Sequence, residues 1–290
     1  MFRSVLRLIR PTQWLKNGLL LAPLIFAGVA TDVHRVELAF LGVALFCLLS
    51  SAVYVFNDLF DLKQDLQHPL KRNRPLPAGE ISRTTAIILL VLLTLVGLGA
   101  AFFVNMSFFW ISVAFVLFNF LYSIWLKHVV IVDVMSIAIS FVLRAYAGAL
   151  AVDVPASKWL LINTLLLALF LGFGKRRHEL VLLEEGATAH RKILDKYSPY
   201  LLDQLTGVVT ASVVVMYMLY SFSPEVSTKL GTQNLFLTIP FVVYGIFRYL
   251  YLIHKEDQGG SPTRVLISDK PILMTVVFWI LTVIIVLYVL

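Results

Sequence analysis

The chain is 290 residues long, 59% hydrophobic and 14% charged, and its 24 Lys and Arg against 17 Asp and Glu give a formal net charge of +7. Soluble domains carry about 25% charged residues, so this composition excludes an ordinary globular enzyme and reads as an all-α polytopic membrane protein forming one domain, residues 1–290. The positive balance does not point to nucleic acid, because no basic stretch is interleaved with exposed aromatics in a soluble context; the cations follow membrane topology instead.

A helical span needs about 20 apolar residues, and that ruler predicts nine, at 17–31, 37–56, 85–105, 107–126, 130–152, 157–174, 204–222, 234–253 and 271–290. The first follows Arg3, Arg7 and Arg10, so a signal peptide ending near Ala30 is the alternative. The approach Trp14-Leu15-Lys16-Asn17 reads instead as the interfacial anchor of a retained helix. With the N-terminus inside, only Arg35, Lys158 and Lys229 of the 24 Lys and Arg fall on the outer side; Lys158 and Arg248 sit near the outer and inner ends of their spans, and Arg144 lies deep within one. This bias predicts a cytoplasmic N-terminus, and nine spans then leave the C-terminus outside. Three inner loops, 57–84, 175–203 and 254–270, are long enough to build a site, so chemistry is expected to face the cytoplasm. The lone Cys47 sits in an apolar run, cannot form an intrachain disulfide and reads as a small packing residue.

The chain first becomes polar at Asn57-Asp58-Leu59-Phe60-Asp61-Leu62-Lys63-Gln64-Asp65. At about 100° per residue a continuing helix puts Asn57, Asp58, Asp61 and Asp65 within roughly one third of its circumference. Like charges at these spacings repel. A hard divalent cation holding a substrate phosphate fits such a face best, and a solvated helix end is the bland alternative. Pro69, Pro75, Pro77 and Gly79 then stop helix propagation, so His68 to Pro75 is expected to turn Lys71, Arg72 and Arg74 back toward the aspartates. Lys127, in the segment Tyr122-Ser123-Ile124-Trp125-Leu126-Lys127-His128, belongs at the membrane surface, as a topology residue or within reach of the same cavity.

Asp133 and Arg144 share a helix face about 16 Å apart, too far to pair. An Arg deep in a span is expensive, so Arg144 is expected to point into the bundle, toward a carboxylate, a carbonyl, or a phosphate or lipid head. The sixth span ends in Gly174-Lys175-Arg176-Arg177-His178-Glu179, whose cations serve either topology or a polyanion site. Glu184, Glu185, Arg191, Lys192, Asp195 and Tyr197 make a polar stretch that suits a lid or a solvated loop equally. His34, His190 and His254 have no metal-ligand spacing, and no nucleophile elbow, Walker loop, CxxC or Rossmann fingerprint is present.

NDxxDxxxD followed by RPLPAG on a nine-span chain resembles the UbiA-type intramembrane prenyltransferases, which implies a ring of helices around a central cavity roofed by cytoplasmic loops. A second aspartate-rich motif, usual after the sixth span in that family, is replaced here by Gly174-Lys175-Arg176-Arg177-His178-Glu179-Leu180. That departure, with RPTQWLKN at 10–17, HPLKRNRP, YSIWLKHVVIVDV at 122–134 and LRAYAG at 143–148, is similar to the decaprenyl-phosphate phosphoribosyltransferase branch. The resemblance implies transfer of 5-phosphoribose from phosphoribosyl diphosphate to a polyprenyl phosphate, feeding cell-wall arabinose donors, in a bacterial plasma membrane. It implies Mg²⁺ on Asp58, Asp61 and Asp65, with Asn57 assisting. Lys127, Lys175, Arg176 and the Lys71/Arg72/Arg74 turn would bind donor phosphates, and Lys16, Asn17, Tyr122, Asp133 and Arg144 would help position substrate. A conventional prenyl transfer to an aromatic acceptor is the runner-up, and a non-catalytic transporter or lipid-binding protein is the third reading. The oligomeric state, a homo-oligomer included, stays open.

Overall fold

A computed structural model describes residues 2–67, 71–184, 193–256, 260 and 262–289, and the described residues are helical with short turns. Among the described residues, eight helices are long and apolar enough to cross a membrane. The chain therefore passes through the bilayer many times. Its residues cluster into two compact units, Met1–Ser157 and Lys158–Leu290.

The first unit contains α1 (Phe2–Ile9), a 3₁₀-helix (Pro11–Leu21), α2 (Ala22–Phe26), α3 (Val33–Phe60), α4 (Leu62–Gln67), a 3₁₀ turn (Lys71–Asn73), α5 (Arg83–Val104), α6 (Met106–Ile124), a 3₁₀ turn (Leu126–His128) and α7 (Val132–Ala151). Caps set the ends where the sequence supplies them: Asp32 accepts from the amides of His34 and Arg35, Ser82 from Thr85, and Asn105 from Phe108, each satisfying donors that a helix start leaves open. Phe46 packs against Phe108 and Phe115, with ring centroids 5.8 and 4.9 Å apart, at the centre of the main core, which Leu20, Leu49, Val116 and Ala147 complete. A smaller core of Leu8, Val55, Leu62, Leu76, Ile81 and Ala86 sits where α3 turns into α4.

The first expected span, 17–31, is not an α-helix of spanning length. The 3₁₀-helix that begins at Pro11 runs into it as far as Leu21, Pro23 opens the short α2, and the positive φ of Gly28 (73°) follows. The segment still runs the length of α3, antiparallel to it. Arg10 pairs with Asp58, Trp14 Nε1 donates to Ser51 Oγ at 3.0 Å, Ser50 Oγ donates to Asn17 Oδ1 at 3.1 Å, and Leu24 packs with Ala39. From Arg10 to Leu24 it therefore covers the distance α3 takes from Asp58 back to Ala39. That requires about 2 Å per residue, the rise of a 3₁₀-helix, against about 1.5 Å for an α-helix. The ruler of about 20 residues failed here because it assumes the α rise.

Close backbone approach holds this segment in place. A Cβ on Gly148 would lie 2.3 Å from the carbonyl oxygen of Leu20. Gly148→Ala is expected to lower the midpoint of thermal unfolding of the purified protein, by the equivalent of about 1–3 kcal/mol of overpacking. Gly99→Ala on α5, where the added Cβ meets nothing within 4 Å, serves as the control and should leave the midpoint unchanged or slightly raised.

The second unit contains α8 (Lys158–Glu184), a 3₁₀ turn (Leu194–Lys196), α9 (Pro199–Ser221), α10 (Pro224–Leu230), a 3₁₀ turn (Asn234–Thr238), α11 (Ile239–Lys255), α12 (Pro262–Ser268) and α13 (Lys270–Tyr288). Tyr217 ties three of these together, its hydroxyl 2.7 Å from Thr238 Oγ1 and accepting from Trp279 Nε1 at 2.9 Å. Asp269 caps α13 through the Ile272 amide. The guanidinium of Arg248 beside it holds that carboxyl below the usual carboxylate range.

Candidate active site

The acidic motif lies where α3 hands over to α4. Asp61 occupies the joint, and hydrogen bonds from Asp61 N to Asn57 O and from Asp65 N to Asp61 O, both 2.9 Å, carry the helical register across it. The aspartates consequently stay on one face, as the spacing predicts. Asp58 is 1% and Asp65 2% exposed. Ionised carboxylates that are buried need partners, and the sequence supplies them from three directions.

Arg10 approaches from the N-terminal side. It adopts a left-handed conformation (φ 53°) before the 3₁₀-helix, which aims its guanidinium at Asp58, with the Tyr54 ring 5.2 Å away. Arg74 returns from the proline-rich loop, with Nη1 3.2 Å from Asp58 Oδ1 and 2.6 Å from Asp65 Oδ2, and Lys71 Nζ lies 3.8 Å from Asp65. The expected turn thus folds back on the aspartates; its His68, Pro69 and Leu70 lie outside the described residues. Lys127 is buried and reaches Asp61 Oδ1 at 2.5 Å, while Asn57 Nδ2 donates to Asp61 Oδ2 at 3.1 Å. Ile131, a β-branched residue at φ 68°, makes the sharp turn between Lys127 and α7. Such a conformation is disfavoured and persists because the flanking helices fix both ends.

The loop is clamped from outside. Arg7 donates to Glu80 Oε1 at 2.9 Å and to the Asn73 carbonyl at 2.7 Å. The Ser4 hydroxyl, and after it Arg7, hold the Glu80 carboxyl below its ordinary range.

Other expected residues fall elsewhere. Arg72 is exposed and forms no ion pair with the aspartates; a 3₁₀ turn spaces side chains at about 120°, so Lys71 and Arg74 share a face that Arg72 leaves. Tyr122 is half-buried on α6 without a hydrogen bond to the acids, and Asp133 is fully buried in the first turn of α7. Asn17 and Arg144 are buried together, deeper along α3. In the second unit Lys175 and Arg176 pair with Glu179 at 3.7 and 2.6 Å, and Arg177 with Asp203 at 2.5 Å. Glu185, Arg191, Lys192 and His190, and the side chain of Glu184, lie outside the described residues, so the lid reading does too.

The three carboxylates do not form a ready-made metal site: among the described residues no group of three or more His, Cys, Asp or Glu converges on one point. Basic side chains hold them instead: Arg10 and Arg74 on Asp58, Arg74 and Lys71 on Asp65, and Lys127 on Asp61. Their chemistry nonetheless fits a hard cation. Asp58 and Asp65 already offer oxygens to a single nitrogen of Arg74, so with Asp61 they are the carboxylates that would hold a hard cation and supply it with oxygen ligands.

Several site residues were not singled out from the sequence. Arg10 reads there as a topology charge and Cys47 as packing; Ser50, Ser51 and Tyr54, on the same helix as Cys47, are not picked out. Together with the aspartates they form one polar stripe within about a third of the helix circumference. The signal was available in their common face.

Residues 19–269 match the UbiA prenyltransferase family. The chain belongs to that family. Among similar UbiA-family relatives are the decaprenyl-phosphate phosphoribosyltransferases of Corynebacterium glutamicum, 30% identical with 99% of this chain and 87% of the relative covered, and of Mycobacterium tuberculosis, 32% identical with 97% and 93% covered. A solved UbiA homolog from Archaeoglobus fulgidus, bound to GPP and Mg²⁺, superimposes with a TM-score of 0.74 at 20% identity, covering 99% of this chain and all of that one. This likeness establishes the UbiA fold, and the family match runs across the boundary between the two compact units.

Proposed function

We propose that this UbiA-family protein transfers 5-phosphoribose from phosphoribosyl diphosphate to a polyprenyl phosphate and releases diphosphate. The observation that carries the reading is its likeness, over nearly the whole chain, to two decaprenyl-phosphate phosphoribosyltransferases. The site supports it, since Arg10, Lys71, Arg74 and Lys127 bring one more cation than there are carboxylates in Asp58, Asp61 and Asp65.

Asp58 and Asp65, joined by Asp61, are the residues that would hold Mg²⁺. When bound it neutralises diphosphate charge as the leaving group departs. The chain's own part is an exchange of partners. Arg74 and Lys127 leave the carboxylates and donate charge-assisted hydrogen bonds to the diphosphate oxygens, while Arg10 keeps Asp58 oriented. The bond from the sugar C1 to the diphosphate oxygen breaks with oxocarbenium character, and an oxygen of the lipid phosphate forms the new bond to C1 from the opposite face. That phosphate is already anionic near neutrality, so no strong general base is needed and positioning with charge stabilisation carries the barrier.

The Lys and Arg distribution supports a cytoplasmic N-terminus and active site in a bacterial plasma membrane. Cytoplasmic placement gives a soluble sugar donor access while the lipid tail stays in the bilayer. Membranes containing the protein, given labelled phosphoribosyl diphosphate and a polyprenyl phosphate, should form labelled lipid only with divalent metal present. Product from a prenyl diphosphate and an aromatic acid instead would favour the second reading, prenyl transfer, to which the solved homolog bound to GPP lends support.

A further inference from the structure

Deeper along α3 lies a second polar layer that the transfer step leaves unused. Asn17 is fully buried, its Oδ1 accepting from Ser50 Oγ at 3.1 Å and from Arg144 Nε at 3.0 Å. Arg144, 5% exposed, also donates Nη1 to the carbonyl and hydroxyl of Ser140, both at 2.9 Å, and stacks over the rings of Phe115 and Phe141 at 4.7 and 5.3 Å. All these partners are neutral. Among the described residues no carboxylate comes within ion-pair distance of Arg144. Lys16, adjacent in sequence, makes no hydrogen bond or ion pair among them either, and the charges acting on it are those of Arg144 and Arg10.

A guanidinium inside a span costs about 2.5 kcal/mol or more. Neutral hydrogen bonds and aromatic faces offset part of this and leave the charge itself uncompensated. The contrast with the upper layer is direct, for there every aspartate has a cation. Two cations and no anion among the described residues, beside the helix that carries the acidic cluster, describe a place kept for an anion. Ser50 to Asp58 along α3 sets its depth at about 12 Å from the acidic cluster.

We infer that Lys16, Asn17 and Arg144 form a second anion subsite that binds a phosphate monoester, separate from the diphosphate at the aspartates. The inference rests on the phosphoribosyl-transfer reading, in which two monoesters are present: the 5-phosphate of the donor and the phosphate of the lipid acceptor. Both present the same dianionic oxygens to Arg and Lys, and the experiment separates them.

Purified wild type, Arg144→Gln, Arg144→Lys and Lys16→Gln are assayed for KM of phosphoribosyl diphosphate at saturating farnesyl phosphate and for KM of farnesyl phosphate at saturating donor. The thermal midpoint of each is recorded with and without each substrate. Arg144→Gln and Lys16→Gln should raise the KM of one and the same substrate about tenfold or more, the worth of a charged hydrogen bond. They should leave the other within twofold and lose the thermal stabilisation that this substrate gives wild type; Arg144→Lys should recover part of both. A shift confined to the donor assigns the 5-phosphate, and one confined to farnesyl phosphate assigns the acceptor. Unchanged KM values, or equal rises in both with a lowered ligand-free midpoint, overturn the subsite and leave Arg144 a structural residue. Lys16 makes no hydrogen bond or ion pair among the described residues, so its variant decides the matter if Arg144→Gln does not fold. Absence of transfer by wild type overturns the functional reading instead.

Discussion

Asp61→Asn is expected to lower phosphoribosyl transfer by about 10²- to 10³-fold, the range for losing one preorganised electrostatic contact to a transition state, with the protein still folded. Asn keeps the shape and still accepts from Asn57, now 3.1 Å from the carboxylate. It removes a negative charge that would help hold the metal and that keeps Lys127, 2.5 Å away, in position. Lys127 is buried, and without its counter-ion it is no longer held in position. The leaving diphosphate would then lose a cation together with one of the carboxylates proposed to hold the metal. Initial rates at saturating substrates, alongside size-exclusion and thermal unfolding profiles matching wild type, check this. Metal-dependent turnover at the wild-type rate would remove Asp61 from the site.

How far the sequence revealed this site depends on which residues announce themselves by period. Asp58, Asp61 and Asp65 recur at helical spacing at the end of an apolar run, and the prolines after them force the return of Lys71 and Arg74; both readings needed only local geometry. Lys127 was placed by a short connection between two spans. Arg10 was not placed, because its distance from Asp58 is settled by the packing of the N-terminal segment along α3, not by anything within ten residues of it. Ser50, Ser51 and Tyr54 were hidden for a related reason: small polar groups within a span ordinarily bond their own helix, as Ser51 Oγ does with the Cys47 carbonyl at 2.7 Å, and only the structure adds the contacts of Ser50 and Ser51 with Asn17 and Trp14. Eight spans were legible from apolar length. In the remaining expected segment, 17–31, the helix type was not legible, because residue counts measure distance only once that type is known.

Arg74→Gln should move two measurements in opposite directions. Arg74 contacts both Asp58 and Asp65 with a single nitrogen, so on the proposed metal assignment a metal ion and this guanidinium would compete for the same carboxylates. A unit charge about 4 Å from a carboxylate contributes about 4 kcal/mol at an effective dielectric of 20. Because the Arg74 side chain is 29% exposed, solvent screens much of that, and about 1.4 kcal/mol, a tenfold change, is expected to remain. Mn²⁺ binding to the substrate-free variant, followed by electron paramagnetic resonance, should accordingly tighten about tenfold. Transfer should fall about tenfold or more, since the cation that moves from the acids to the diphosphate is gone. The fold tolerates the change because Arg10 still pairs with Asp58 and Lys71 with Asp65. Unchanged Mn²⁺ affinity would mean that Asp58 and Asp65 are not the metal-binding pair. Tighter Mn²⁺ with undiminished transfer would mean that Arg74 only guards the acids and never reaches the donor.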